Sequence, residues 1–231
     1  MNAFDTTIIH FLNSFSRKSW LFDYSVIFIT NSTFLRAGLI TSMLIWLWFR
    51  IDHRVIETRE SIIATLFSTA GALVFVKVLR SFLPFRPRPL HNPDLIFNLP
   101  LGVNDRTLFE WSSFPSDTAA FFLAMAVGLF HISRALGGIA IIYSFVFACL
   151  GRIYLGYHYP TDILGGMIIG ILFGNLAAVP QVRQTIAYYP MLWMNCYRQA
   201  FYTVFFLVFV EFNNVFEDVK DFLGFLNKLL S

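Results

Sequence analysis

Long apolar stretches, separated by short segments that carry arginine, dominate the chain. The apolar stretches lie at 37–49, 61–76, 118–130, 135–150, 163–179 and 197–210. A membrane-spanning helix needs roughly 17–25 mostly apolar residues, and flanking arginines can extend a shorter run by reaching to the interface. The pattern therefore predicts about six transmembrane helices.

The remaining segments follow different patterns. In 1–15 the apolar residues recur at helical spacing, and 216–230 carries a similar stripe, so we expect interfacial amphipathic helices at both ends. Segment 20–34 is aromatic but is interrupted by polar residues, which predicts an interfacial or re-entrant segment. Segment 84–115 is polar and broken by prolines, so it is predicted to be a loop.

Composition supports lipid as the solvent of most of the chain. Of 231 residues, 57% are hydrophobic and only 13% are charged, against about 25% in soluble domains. We predict an all-α, polytopic transmembrane helical bundle, with residues 1–231 forming a single membrane-embedded domain.

Cys149 and Cys196 lie in apolar stretches without a CxxC pattern, so both are predicted to be packed thiols.

The distribution of charge bears on partners and on orientation. The net charge of +3 comes without a run of Lys and Arg, which excludes nucleic acid and fits membrane lipids or a phosphorylated substrate. Arginines in short loops favour the cytoplasmic side, which here carries Arg50, Arg54, Arg59, Arg134, Arg183 and Arg198. The loops at 84–115 and 152–162 then face outward, and their arginines call for a functional reason.

The first polar patch, Phe85-Arg86-Pro87-Arg88-Pro89, follows the second predicted span. A proline after each arginine holds the preceding residue extended, outside a helix. The planar fork of Arg suits a phosphate because it donates two parallel hydrogen bonds. Arg86 and Arg88 are therefore candidate phosphate ligands; anchoring to lipid headgroups is the alternative.

The second patch, residues 112–118, opens the third predicted span. Pro115 suits a helix start, and Ser116 or Asp117 can cap it. The free N–H groups and positive dipole at a helix N-terminus favour an anion. Ordinary capping without a ligand is the alternative.

The third patch, residues 151–162, contains Arg152, His158 and Asp162. Pro160 would begin a helix and leave His158 in the preceding loop, which argues against two metal ligands on one helix face. We expect Asp162 to reach one ring nitrogen of His158 and leave the other free as nucleophile or base. With all three patches on the outer face, the sequence predicts a phosphoryl-transfer site there.

These residues resemble a known family. Arg152-x5-His158-x3-Asp162 resembles the third signature of the type-2 phosphatidic acid phosphatase superfamily, the lipid phosphate phosphatases. Residues 114–117 look like its second signature, and Arg88-Pro89 looks like the end of its first. The resemblance covers 77–166 and is greatest to bacterial undecaprenyl-pyrophosphate phosphatases of the bacitracin-resistance type.

The resemblance implies a membrane phosphatase that needs no metal and no other cofactor. His158 would become a phosphohistidine and Asp162 would orient it. The phosphoryl oxygens would be held by Arg88, Arg152, Ser116 and backbone N–H groups near Asp117. The substrate would be a polyprenyl (pyro)phosphate or related lipid phosphate, in the inner (cell) membrane, with the site facing the periplasm or exterior.

Two departures from the family pattern leave alternatives open. The first-signature lysine position is Ser81, with Lys77 and Arg80 as nearby replacements. The catalytic acid position of the second signature is Thr118, whose hydroxyl cannot serve as a general acid near neutral pH. A pyrophosphate substrate partly evades this loss, and Asp117 or His91 could supply the proton. Transfer to an acceptor other than water, a non-catalytic protein that binds or moves a lipid phosphate, and a structural protein with chance motifs stay as alternatives.

Overall fold

The computed structural model describes residues 2–32 and 34–214, and every long element in this part of the chain is a helix. The helices are α1 Ala3–Asn13, α2 Trp20–Asn31, α3 Leu39–Phe49, α4 Val55–Phe82, α5 Asp117–Ile132, α6 Arg134–Tyr154, α7 Pro160–Ala178, α8 Pro180–Cys196 and α9 Arg198–Asn213. π-Helical turns lie before α3, at Phe34–Gly38, and within α6, at Ser144–Leu150. The all-α prediction is confirmed; the predicted helix at 216–230 lies outside the described residues.

The predicted spans differ in length. Among the described residues, α4, α6 and α7 are long and apolar enough to cross a membrane, and α3 and α5 are shorter apolar helices. The predicted sixth span is α9, which forms as a helix of 16 residues outside both of these classes. Trp48 stacks on Phe201, while Thr41 donates a hydrogen bond to Asn213, so α3 and α9 run antiparallel.

Helix α8 occupies 180–196, where the sequence predicts a short loop that carries Arg183. Its first turn is tied to α4 by ion pairs from Arg183 to Glu57 and Glu60. Polar residues and Pro190 hide its helical pattern from a search for apolar runs. Cys149 is buried as predicted, but the prediction is wrong for Cys196, which is exposed because it ends α8 on an uncovered face.

Helix α5 is the centre of the bundle. Every residue from 118 to 129 is buried, and α5 packs against α4, α6 and α7. On α7, glycines 166, 170 and 174 recur every fourth residue and face α5. A Cβ at Gly170 would lie 2.5 Å from the carbonyl oxygen of Ala120, so only glycine permits this approach. Small residues at such spacing let membrane helices pack backbone to backbone.

The amino-terminal helices cover the end of the bundle that the sequence predicts to face outward. Helix α1 forms as predicted, but it packs against the end of α6 and the start of α7, and its buried face carries Asp5 and Asn13 beside Ile9. Asn13 exchanges two hydrogen bonds with the backbone of Asn98. Segment 20–34, predicted to be interfacial or re-entrant, contains α2, whose buried Asp23 accepts a hydrogen bond from the Leu101 N–H. Both helices therefore fasten residues 83–116, which we call the outer loop after its predicted side of the membrane.

The α5–α7 contact predicts a difference between two glycine substitutions. Gly170→Ala places a methyl against backbone and should lower the free energy of unfolding by about 1–3 kcal/mol. Gly138→Ala is the matched control, because a Cβ there meets nothing within 4 Å and alanine favours helix. Thermal unfolding in detergent measures both, and equal stability of the two variants would contradict the packing described.

Candidate active site

The three polar patches meet at one end of the bundle. A cavity of about 480 Å³ lies between the outer loop, the start of α5 and the end of α6. Its polar lining includes Arg88, Asp117, Thr118, Arg152 and Tyr157. Helix α2 contributes Ile27 and Asn31. The predicted convergence of the patches is thus present in the geometry. Among the described residues, no group of three or more His, Cys, Asp or Glu side chains is placed to hold a metal ion.

His158 is fully buried in the loop between α6 and α7. Its Nδ1 lies 2.9 Å from the backbone carbonyl oxygen of Ser113. A carbonyl oxygen can only accept, so Nδ1 carries the proton and Nε2 keeps its lone pair. Nε2 lies 3.5 Å from Nη1 of Arg88. Burial, with smaller effects from Arg88 and Arg152, lowers the pKa of His158 to about 4, so the ring is neutral at physiological pH.

Asp162 does not make the predicted hydrogen bond to His158. Its Oδ2 lies 3.8 Å from Nδ1 and accepts instead from the backbone N–H of Tyr159, at 2.7 Å. The reason is local: Asp162 is the third residue of α7, where a carboxylate caps the free N–H groups of the helix start. Its Oδ1 accepts from Nη1 of Arg86 at 2.5 Å. Asp162 is therefore an electrostatic neighbour of His158, and Ser113 is the direct hydrogen-bond partner.

Arg88 and Arg152 carry positive charge to the cavity. Arg88 is 3% exposed and donates to the carbonyl oxygens of Trp111 and Tyr157, at 3.1 and 2.6 Å. Burial lowers its pKa to about 10, so it stays protonated at neutral pH. Arg152 has a buried Nε without a hydrogen-bond partner among the described residues. Such guanidinium groups, held by neutral carbonyls or partly unpartnered, suit an anion.

The start of α5 combines capping with a contribution to the cavity. Ser116 is the N-cap, and its Oγ accepts from the Ala119 N–H at 3.3 Å. Its own N–H donates to the carbonyl oxygen of Asp162 at 3.0 Å, which joins the second patch to the third. Ser116 is outside the cavity lining, so it acts as a helix cap, which is the alternative to phosphate binding named above. Asp117 accepts from the Thr118 N–H at 2.8 Å, and both residues line the cavity.

Three predicted phosphate ligands lie elsewhere. Arg80 donates to the carbonyl oxygen of Pro115 at 2.6 Å and lies 3.5 Å from the Asp117 carboxylate, so it fixes the turn before α5. Arg86 pairs with Asp162 and with Asp5 at 2.9 Å, which commits its guanidinium to carboxylates. Lys77 is exposed and is not part of the cavity lining.

His91, a candidate proton donor, lies 2.9 Å from the Thr107 carbonyl oxygen and outside the lining.

Two residues near the site were not predicted from the sequence as functional residues. Asp5 had a readable signal, because it shares the buried face of α1 with Ile9 at a spacing of four. Ser113 had none, because it acts through its backbone carbonyl, which every residue possesses.

Comparison with known proteins gives a family and named relatives. The model of the PAP2 superfamily matches residues 61–186, more than half of the chain. The chain is 26% identical over 165 residues to undecaprenyl-diphosphatase BcrC of Bacillus subtilis, covering 71% of this chain and 78% of the relative. It is 28% identical over 157 residues to the putative undecaprenyl-diphosphatase YbjG of Escherichia coli, covering 65% and 71%.

A lipid A 1-phosphatase of Rhizobium johnstonii is 30% identical over 152 residues, which cover 60% of this chain and 59% of that relative. No solved structure gives a significant match. All three names describe enzymes that act on a phosphorylated lipid.

The unpartnered Nε of Arg152 predicts that this residue binds an anion. Arg152→Gln should weaken binding of inorganic phosphate to the purified protein at least about tenfold, in line with the loss of a charge-assisted hydrogen bond. Arg198→Gln is the matched control, since Arg198 is exposed at the start of α9 and outside the cavity. Isothermal calorimetry measures both; equal affinities would remove Arg152 from the site.

The environment of His158 predicts its tautomer and titration. With 15N-labelled histidine, NMR in detergent should show His158 as a neutral ring with the proton on Nδ1 from pH 5 to 8, because burial disfavours the charged form. Protonation should be half complete only near pH 4. His158→Gln identifies the signal, and a proton on Nε2 or a midpoint close to the ordinary value of about 6.5 would contradict the arrangement.

Proposed function

Because this chain belongs to the PAP2 superfamily, we propose that it is a membrane lipid phosphatase that cleaves a polyprenyl diphosphate through a phosphohistidine at His158. The observation that carries the proposal is the position of the unprotonated Nε2 of His158, which lies 3.5 Å from Nη1 of Arg88. Arg88 lines the cavity together with Arg152, directly in front of the buried His158 ring. A neutral nucleophile next to fixed positive charge is the arrangement that phosphoryl transfer requires.

The chemistry follows from this geometry in two steps. The Nε2 lone pair attacks the terminal phosphorus, the bond to the bridging oxygen breaks, and lipid monophosphate leaves with the bonding electrons. Arg88 and Arg152 offset the charge that builds on the phosphoryl oxygens. The ring becomes cationic, and Ser113 and the nearby Asp162 carboxylate stabilise it on the Nδ1 side. Water then attacks phosphorus, breaks the P–N bond and releases inorganic phosphate.

Thr118 supports a diphosphate rather than a monophosphate substrate. The cavity wall offers a threonine hydroxyl where a leaving oxygen would need a proton, and Asp117 is occupied by the Thr118 N–H and by Arg80. A departing lipid phosphate is a weak base and needs little protonation, whereas a departing alkoxide needs a full proton. The relatives named undecaprenyl-diphosphatase support the same substrate class.

The same threonine favours a second candidate function, in which the protein binds a lipid phosphate without cleaving it. In that case His158→Ala should leave affinity for a lipid phosphate unchanged, and wild-type protein should release no phosphate. Transfer of the phosphoryl group to an acceptor other than water is a variant of the first proposal and also needs His158.

For location, we propose the cell membrane, with the cavity facing the periplasm or exterior. The opposite end of the bundle gathers Arg50, Arg54 and Arg183 around one polar pocket, which agrees with a cytoplasmic position for that end. Labelling of an introduced cysteine in the outer loop by a membrane-impermeant reagent tests this orientation.

The principal test is phosphate release in detergent with EDTA present. Wild-type protein should release phosphate from prenyl diphosphate and much less from prenyl monophosphate, and His158→Ala should abolish release. Thr118→His should raise release from the monophosphate by up to about 10²–10⁴-fold, because it restores a general acid.

The controls separate the two functions. His91→Gln is the matched variant: the Nε2 of His91 is engaged by the carbonyl oxygen of Thr107, so its loss should leave turnover unchanged. Release that persists in His158→Ala would refute the phosphohistidine. An inactive wild type whose lipid phosphate affinity is the same in His158→Ala would favour the binding function.

A further inference from the structure

Asp5, on the first helix, is completely buried close to the candidate active site. Its carboxylate accepts from the Thr161 N–H at 2.9 Å, from the Thr161 hydroxyl at 2.7 Å and from Nη2 of Arg86 at 2.9 Å. An unpaired buried carboxylate is costly, so a fully bonded one fixes its partners firmly. These bonds place a charge from α1 at the start of α7.

Arg86 links this carboxylate to the nucleophile by two routes. Its guanidinium donates to Asp5 on one side and to Asp162 on the other, and it lies 4.1 Å above the ring of Tyr159. Its backbone carbonyl accepts from the Ser113 N–H at 2.9 Å, and the Ser113 carbonyl accepts from His158. Movement of Arg86 would therefore disturb both neighbours of the His158 Nδ1.

The charges around His158 make the sharing of Arg86 important. Arg88 and Arg152 face the ring with positive charge, and Asp117 and Asp162 face it with negative charge. Arg86 divides its charge between two carboxylates, so Asp162 is only partly neutralised. Without Asp5, the guanidinium of Arg86 would pair with Asp162 alone. Asp162 would then attract the cationic ring of His158 more weakly.

We infer that Asp5 is a positioning residue: it shares Arg86 with Asp162 and so keeps Asp162 available to stabilise the cationic ring of His158. The first helix is then part of the machinery that supports the nucleophile, although it lies outside the segment matched by the family model. This inference rests on the proposed function, in which His158 attacks phosphorus.

The test uses Asp5→Asn in the full chain, with turnover and ligand binding measured separately. We expect kcat for prenyl diphosphate to fall about tenfold, or ~1.4 kcal/mol, with KM unchanged. Orthovanadate, which forms an adduct with a nucleophilic nitrogen, should bind about tenfold more weakly by the same reasoning. Inorganic phosphate, held by Arg88 and Arg152, should bind as before. The acid limb of kcat/KM should move to lower pH, because a negative charge near His158 is lost.

A double-mutant cycle with Arg86→Gln tests the route of the effect. If Asp5 acts through Arg86, Asp5→Asn should change little further in the Arg86→Gln background. Asp23→Asn is the matched control for burial: Asp23 is also fully buried, but its carboxylate accepts from Leu101 and Tyr154 and not from Arg86. It should lower thermal stability and leave vanadate affinity and the pH profile unchanged.

Thr161→Val provides a second variant, because its hydroxyl donates to Asp5 and accepts from Arg86, so its loss loosens this pair and keeps both charges. It should shift kcat and vanadate affinity in the same direction by less, and it decides the matter if Asp5→Asn does not fold. Unchanged vanadate affinity in the folded variants, or equal effects of Asp23→Asn, would overturn the inference. If wild-type protein hydrolyses nothing, the proposed function fails while the vanadate measurements still decide the role of Asp5.

Discussion

The site depends on one half-buried cation, Arg86, that is shared by two buried carboxylates. Arg86 lies between Asp5 and Asp162, both of which are fully buried. Charges removed from water persist only when they are paired and hydrogen-bonded, so this triad must form for the first helix, the outer loop and α7 to meet. The backbone carbonyl of Arg86 also accepts from the Ser113 N–H, and the Ser113 carbonyl accepts from His158. Arg86 therefore both joins the helices and positions the nucleophile.

The arginines divide into two groups according to their partners. Arg80 and Arg86 are paired with carboxylates and hold loops in place. Arg88 is held by backbone carbonyls, and the buried Nε of Arg152 has no hydrogen-bond partner among the described residues. Only the second group keeps uncompensated charge for a ligand. This division makes the cavity electropositive next to a neutral imidazole, which is why an anionic substrate and a histidine nucleophile belong to the same proposal.

The sequence predicts well those helices that are apolar along most of their length, because lipid is their solvent. Lipid excludes polar backbone, so the apolar runs that became α4, α6 and α7 were readable, whereas α8 was missed because polar residues interrupt its pattern. The motifs also predicted which segments converge. They did not predict that Asp162 would cap α7 or that Arg86 would pair with Asp5, because such choices depend on competition among partners in three dimensions.

Close packing of α5 and α7 gives this end of the bundle its rigidity. Gly166 brings α7 against the backbone of Ser116, and the Ser116 N–H donates to the Asp162 carbonyl oxygen. Two motifs that lie more than forty residues apart in the sequence are therefore joined by direct backbone contact, with no long side chain between them. A site on such elements holds its charges in place before the substrate arrives, and this preorganisation is the main source of electrostatic catalysis. The glycines of α7 therefore support the proposed chemistry indirectly, because they permit the backbone approach that joins the two motifs.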